Sequence, residues 1–350
     1  MTFELIPFSD CALDDRFFDT LKEDYPGFSG WFEKKSDKGE KAYVWKENGR
    51  IHGFLYVKNE PEIEAVGDLP EEPRLKIGTL KIDDEIGGQR IGEGAIGIAL
   101  WEWKRSGLDQ VYVTIYPKHE SLIRLMKDFG FRHVTDKGKE HVYLKDRRTM
   151  DGDYPKQYFP FIDLTKGRGK ILPIEEDFHD NMFPYSELRN TDQVTEQMPV
   201  SNGVTKIYLA SPPKNPDYRI HDVAFVYRMA KEDKRWKSVI SSYCTVEAVM
   251  QVKVNGNAKM TKEEFFKRVG NKTVYTQEEL EAKYSGANLY IIELLYCGYF
   301  GAGNNVNLNR LREIGIWKND RHPYQMMLDR GQEELLLKEG RLDVKDIAIH

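Results

Sequence analysis

The chain has 350 residues, 40% hydrophobic and 31% charged, which is long for one domain and comfortable for two ordinary cores. Residues 1–147 carry five more acids than bases and the remainder balances, for a net charge of −5, so neither half has the basic surface that grips nucleic acid by charge alone. No apolar run approaches the roughly 18 residues of a membrane span, MTFELIPFSD lacks an export signal, and Cys11, Cys244 and Cys297 show no CxxC spacing, so a reduced cytoplasmic protein without membrane segment, disulfide framework or metal centre is expected.

Residues 14–24 (DDRFFDTLKED) place apolar side chains at helical spacing. AYVWKENGRIHGFLYVK (42–58) gives two strand-like runs around Glu47-Asn48-Gly49-Arg50, and Asn-Gly between such runs is the strongest short-range hairpin signal. A loop rich in Pro and Glu (59–73) leads to a strand over 75–82. GGQRIGEGA (87–95) then sets Gly87, Gly88, Gly92 and Gly94 before a long amphipathic run that Gly107 breaks. VYVTIY (111–116) reads as a strand, HESLIRLMKDFGF (119–131) as a short helix ended by Gly130, and EHVYLK (140–145) as a closing strand. From 148 to 166 two prolines and several aromatics without a sustained period suggest a linker between domains.

Beyond it short strands dominate: 170–174, 204–210, 222–229, 238–252 and 288–300. Helices are expected at 261–269, where TKEEFF supplies an N-cap and early acids, at 276–284 and at 307–314. Many short strands with a few helices predict a small, partly closed β-barrel over 167–350. The whole chain is α+β.

Glycines between a strand and a helix let backbone N–H groups approach an anion without Cβ obstruction, and the helix N-terminus adds partial positive charge. A phosphate-bearing ligand is expected. The Gly-Lys-Ser/Thr of a P-loop is absent, and the strand is not the first of a βαβ dinucleotide unit. What the stretch holds is Gln89-x-x-Gly92-x-Gly94.

With that pattern, residues 1–147 resemble the GNAT N-acetyltransferases, whose members hold the pyrophosphate of acetyl-CoA on such a loop. The next strand is followed by His119 where the family has Asn, and the helix closes on Phe129-Gly130-Phe131. The resemblance implies a mixed twisted sheet with helices and acetyl-CoA as cosubstrate. It implies pyrophosphate binding by the backbone amides of Gln89, Arg90, Ile91, Gly92, Glu93, Gly94 and Ala95, and pairing of Leu80, Lys81 and Ile82 with the pantetheine arm. The loop before Gln89 is slightly longer than the family's, and the Tyr that commonly protonates the leaving thiolate is replaced by Met126, whose thioether cannot donate a proton. Tyr116 and His119 are the nearest catalytic candidates, with His119 also placed at the cofactor. Asp83, Asp84 and Glu85 are candidate bases or ordinary loop acids.

KIYLASPP, DVAFVYRM, SVISSYCTVEAV and NKTVYTQEEL resemble a PUA-like (ASCH/EVE-type) barrel, with LPIEEDFHDNMFP (172–184) as its opening segment and HPYQMM (322–327) as its closing helix. Such barrels take RNA or a modified base, which implies Tyr227, Arg228, Trp236 and Tyr243 as ligand-binding candidates through stacking and polar contacts. The leading expectation is an acetyl-CoA-dependent N-acetyltransferase whose barrel recognises the acceptor, an amine attacking the thioester directly. The alternative is an RNA- or modified-base-binding protein with a CoA-sensing or inactive acetyltransferase fold. Acceptor and oligomeric state are not legible.

Overall fold

The computed structural model describes residues 3–60, 69, 71–83, 90–183, 203–212, 215–318 and 321–349. It divides into two compact units, 1–146 and 147–350.

In the first unit, β1 (Glu4–Pro7) is followed by α1 (Asp19–Asp24), α2 (Phe28–Asp37), β2 (Lys41–Glu47) and β3 (Arg50–Glu60). Asn48 and Gly49 both take positive φ, 51° and 78°, as a two-residue hairpin turn requires. β4 (Arg74–Ile82), α3 (Ile91–Ser106), β5 (Gln110–Ile115), α4 (Glu120–Asp128), β6 (Arg132–Lys137) and β7 (Glu140–Asp146) complete it. Gly107, at φ 69°, stops α3 in the left-handed conformation that suits glycine. The sheet order is β1-β2-β3-β4-β5-β7-β6. All pairs are antiparallel except β4 with β5.

Of the elements that escape sequence patterning in this unit, α2 and β6 do so for different reasons. α2 buries Phe28 and Phe32, but Ser29 and Gly30 blur its start. β6 is an edge strand with almost every residue exposed, so it has no apolar alternation to read.

One face of this sheet is closed by aromatic rings. Phe8, Phe18, Phe28, Phe32 and Phe54 interlock at centroid distances of 4.9–6.3 Å. Each fully buried phenyl ring stabilises by about 1.5–3 kcal/mol, with edge contacts adding to that. α3 lies against β3, β4 and β5 and buries Trp103 completely. Lys145 of β7 is also wholly buried and donates to the Phe129 carbonyl, where α4 ends.

In the second unit come α5 (Pro155–Tyr158), β8 (Ile162–Asp163), β9 (Gly169–Glu175), α6 (Glu176–Met182), β10 (Thr205–Ala210), β11 (Val223–Met229) and α7 (Lys234–Lys237). β12 (Val239–Val254), β13 (Asn257–Ala258), α8 (Lys262–Val269), α9 (Gln277–Ser285) and β14 (Leu289–Tyr299) follow. Last are β15 (Val306–Asn307), α10 (Leu308–Glu313), β16 (Met327–Leu328), α11 (Arg330–Glu339), α12 (Val344–Ile347) and β17 (Ala348–Ile349). Full capping boxes start α8, α9 and α11.

The main path runs β10-β14-β12-β11-β9-β16, with β9 parallel to β11. In a flat sheet β10 and β9 would lie roughly 19 Å apart. Yet the Tyr208 hydroxyl on β10 donates to the Pro173 carbonyl on β9 at 3.1 Å. The sheet is therefore strongly curled, and the three bulges along the β12–β14 ladder supply local bending. Among the described residues no ladder joins β10 to β16, so what is seen of the expected partly closed barrel is a curled, mixed sheet without ladder closure.

Two further expectations change. The 148–166 segment is no linker: Tyr158, Phe159, Phe161 and Ile162 are buried, and β8 pairs in parallel with β17. Tyr158, Phe159 and Phe161 are core residues, whereas Tyr154 is exposed, and no period shows because the elements here are only two to four residues long. HPYQMM is no helix either; Pro323–Gln325 make one 3-10 turn that leads into β16, and the closing helix is α11.

Candidate functional site

β4 and β5 pair only from Arg74–Gln110 to Ile77–Val113, although β4 continues to Ile82 and β5 to Ile115. The strands part at Gly78, which the β3 register leaves out between Ile77 and Thr79 as a bulge. A Cβ there would stand 2.8 Å from the Tyr56 ring, so the bulge needs glycine. A glycine inside a strand pattern is the one sequence signal of this opening.

Past the bulge the hydrogen bonds alternate. The Asp83 amide donates to the His52 carbonyl at 2.9 Å, so Lys81 and Thr79, two and four residues earlier, also bond towards β3. The same alternation turns the backbone groups of Leu80 and Ile82 towards the gap beside β5. Lys81 thus leaves the set expected to pair with a ligand. Its ammonium is engaged as well, donating to the Phe17 carbonyl and Thr20 Oγ1 and lying 4.8 Å over the Phe17 ring.

Gln89, Asp84 and Glu85 lie outside the described residues. Arg90 is described and adopts φ 58°, ψ 22° before the first turn of α3, and among the described residues no side chain caps that helix. A left-handed residue opening onto uncapped N–H groups is the backbone arrangement that makes a concave anion cradle. Arg90 contributes little free charge, because Glu93 accepts from its Nε at 2.9 Å and pairs with its guanidinium at 2.8 Å. An anion here would be held by the amides of Ile91, Gly92 and Glu93. Among the described residues a Cβ on Gly92 would touch only Leu125 Cδ2, at the ordinary contact distance of 3.5 Å. Gly94 and Ala95 are buried one turn further along and serve helix packing.

At the end of β5, Tyr116 is half-buried and packs on Tyr25 at 5.1 Å. Tyr25 donates to Glu140 Oε1 at 2.8 Å, and burial together with that carboxylate pushes its phenol well up. Tyr25 therefore stays protonated, and Tyr116 is the ring with a hydroxyl to offer. His119 is exposed, 3.5 Å from Asp24, and precedes α4 without capping it. Met126 is completely buried. Asp83 is tied to His52 Nδ1 at 3.0 Å and is no free base. Sequence reasoning missed Tyr25 and Asp24, which reach Tyr116 and His119 only through the tertiary fold.

In the second unit the four candidates separate. Tyr243 is buried in the core, 1% exposed, against Gly298. Tyr227 is buried and packs on Trp317 at 4.7 Å. Neither offers a ring face for stacking. Arg228 donates to both oxygens of Asp180 at 2.8 and 2.9 Å and pairs with Glu176 at 3.2 Å, which removes it as a free ligand contact. Trp236 alone is open, 52% exposed with Arg235 5.1 Å from its ring.

No family model matches the sequence, and no curated protein does. Among solved structures, the chain is similar to a mutant of the ZmASCH protein from Zymomonas mobilis at 14% identity and TM-score 0.32, covering 49% of this chain and 94% of that one. It is similar to Ard1 from Thermoplasma volcanium at 14% identity and TM-score 0.33, covering 41% and 93%. The PaiA N-acetyltransferase from Thermoplasma acidophilum, in complex with coenzyme A, gives 13% identity and TM-score 0.29, covering 42% and 99%.

Proposed function

We propose that the first unit is an acetyl-CoA-dependent N-acetyltransferase of the GNAT type, transferring acetyl to an amine. The observation that carries the reading is the parting of β4 from β5 at the Gly78 bulge, in the same unit as the uncapped, left-handed start of α3. Pantetheine is an extended chain with two amides; the gap-facing backbone of Leu80 and Ile82 would pair with it as a short strand, and the α3 amides would take the pyrophosphate. A backbone N–H at the bulge would polarise the thioester carbonyl as negative charge develops on its oxygen. The neutral amine attacks that carbon, and the C–S bond breaks as coenzyme A leaves as thiolate. With Met126 buried, Tyr116 is the side chain we assign to protonate it. The proton lost by the acylated nitrogen passes to solvent, from which Tyr116 is reprotonated.

Acetyl-CoA titrated calorimetrically into the full chain should bind, and dephosphorylated pantetheine should bind much more weakly. Thiol release on adding acceptor amines reports turnover, and Tyr116→Phe should slow it with little change in acetyl-CoA affinity. A wild-type chain that ignores millimolar acetyl-CoA would sink the proposal.

For the second unit we propose acceptor recognition by a PUA-like domain. Trp236 is its remaining stacking candidate, and the nucleic-acid alternative rests on that residue. Replacing Trp236 by Ala should cost about 1–3 kcal/mol in RNA affinity if the ring stacks on a base, which fluorescence anisotropy against RNA and duplex DNA measures directly.

A further inference from the structure

We propose that His133, Asp136 and His141, on the hairpin of β6 and β7, bind one divalent transition-metal ion, zinc being the best fit. In a regular strand, residues three apart face opposite sides of the sheet. Here the register slips between His133 and Thr135, and the extra residue, Val134, brings His133 and Asp136 onto one face. His141 stands directly opposite Asp136 in the ladder, so its side chain shares that face. Asp136 Oδ1 lies 2.9 Å from His133 Nε2 and 2.5 Å from His141 Nδ1, and all three donor atoms fall within 4.8 Å of one another.

Two imidazole nitrogens and a carboxylate oxygen form a borderline donor set that suits zinc and its first-row neighbours, whereas magnesium and calcium prefer oxygen alone. Tetrahedral zinc at ordinary bond lengths spaces its ligands roughly 3.3 Å apart. The donors reach that spacing through small side-chain rotations, which their 33–58% exposure permits. Three protein ligands leave the remaining positions to water.

Glu140, which holds Tyr25, neighbours His141 in β7 and therefore points to the opposite face. The ion would thus not join the acetyl-transfer chemistry. It would clip the exposed edge of the first sheet, and the inference stands independently of the proposed enzyme activity.

The test uses the full chain, free of affinity tag and stripped with chelator. Calorimetric titration with zinc chloride should show one equivalent bound, cobalt(II) should develop visible d–d absorption, and zinc should raise the melting temperature. His133→Ala and His141→Ala should each lower zinc affinity by more than about tenfold and abolish the cobalt bands. The ligands are exposed, so circular dichroism of the variants should match wild type; His133→Gln and His141→Gln serve if an alanine variant does not. Less than one equivalent bound by wild type, or undiminished binding in the folded His133 and His141 variants, would reduce the cluster to a hydrogen-bonded surface triad and overturn the proposal.

Discussion

At the scale of single residues, Gly92 and Met126 give opposite tests of the α3 and α4 regions. Among the described residues a methyl group on Gly92 meets only one ordinary contact, and alanine improves helix propensity by up to about 1 kcal/mol. Gly92→Ala should therefore fold at least as stably as wild type, while Gly92→Trp should fold and lose acetyl-CoA; thermal melts beside calorimetry separate the two effects. Met126 presents the reverse case. The family resemblance invites replacing it by Tyr to restore an acid, but its side chain has no exposed surface. Met126→Tyr should overpack the core by about 1–3 kcal/mol, measured by urea denaturation, without a gain in turnover. The sequence shows which residue fills the family's Tyr position. It does not show that this position faces inward here, because burial is decided by what the neighbouring elements cover.

At the scale of elements, α6 and α11 set opposing pH dependences in the second unit. Burial alone would raise the Asp180 carboxyl on α6, but hydrogen bonds from Arg228 and His179 outweigh it and hold the group at about 2. Its stabilising contribution is present above the ordinary carboxylate value and is lost as pH falls through about 2. On α11, burial beside Gly169 pushes Glu333 up to about 7 from 4.5. That contribution is complete below pH 4.5 and is lost as pH rises through 7. Glu333→Gln should flatten the loss between pH 4.5 and 7 and raise stability at pH 8 by up to about 3 kcal/mol, checked by denaturant melts across that range. These helices also show what sequence patterning can find. The Thr261 and Thr276 capping boxes and the Asn-Gly turn are local chemistry and are readable. β6, β8 and β17 are not, since an exposed edge strand and two-residue strands exist only through their partners. The candidate site divides the same way: the glycine stretch is visible, whereas the Gly78 bulge, the gap-facing Leu80 and Ile82, and the Tyr25–Tyr116 contact depend on register and packing.

At the scale of the whole molecule, the division at residue 146 predicts which fragments survive. Arg147 belongs to the second unit, donating to the Lys345 and Ala348 carbonyls and lying 4.7 Å from the Phe161 ring. A fragment of residues 147–350 should be soluble and melt cooperatively. One of residues 167–350 should not, since it lacks β8 and the buried Tyr158, Phe159, Phe161 and Ile162; scanning calorimetry and size-exclusion chromatography compare them. The β8–β17 pairing has a further consequence for the growing chain on the ribosome. Ile162 emerges early but meets Ala348, from the last strand among the described residues. Until that strand is made, β8 lacks the one ladder partner it has among the described residues, and the second unit cannot complete its fold progressively as it is translated. Its final step is a closure between distant stretches of chain, the kind of contact whose loop entropy slows folding and leaves apolar rings uncovered meanwhile.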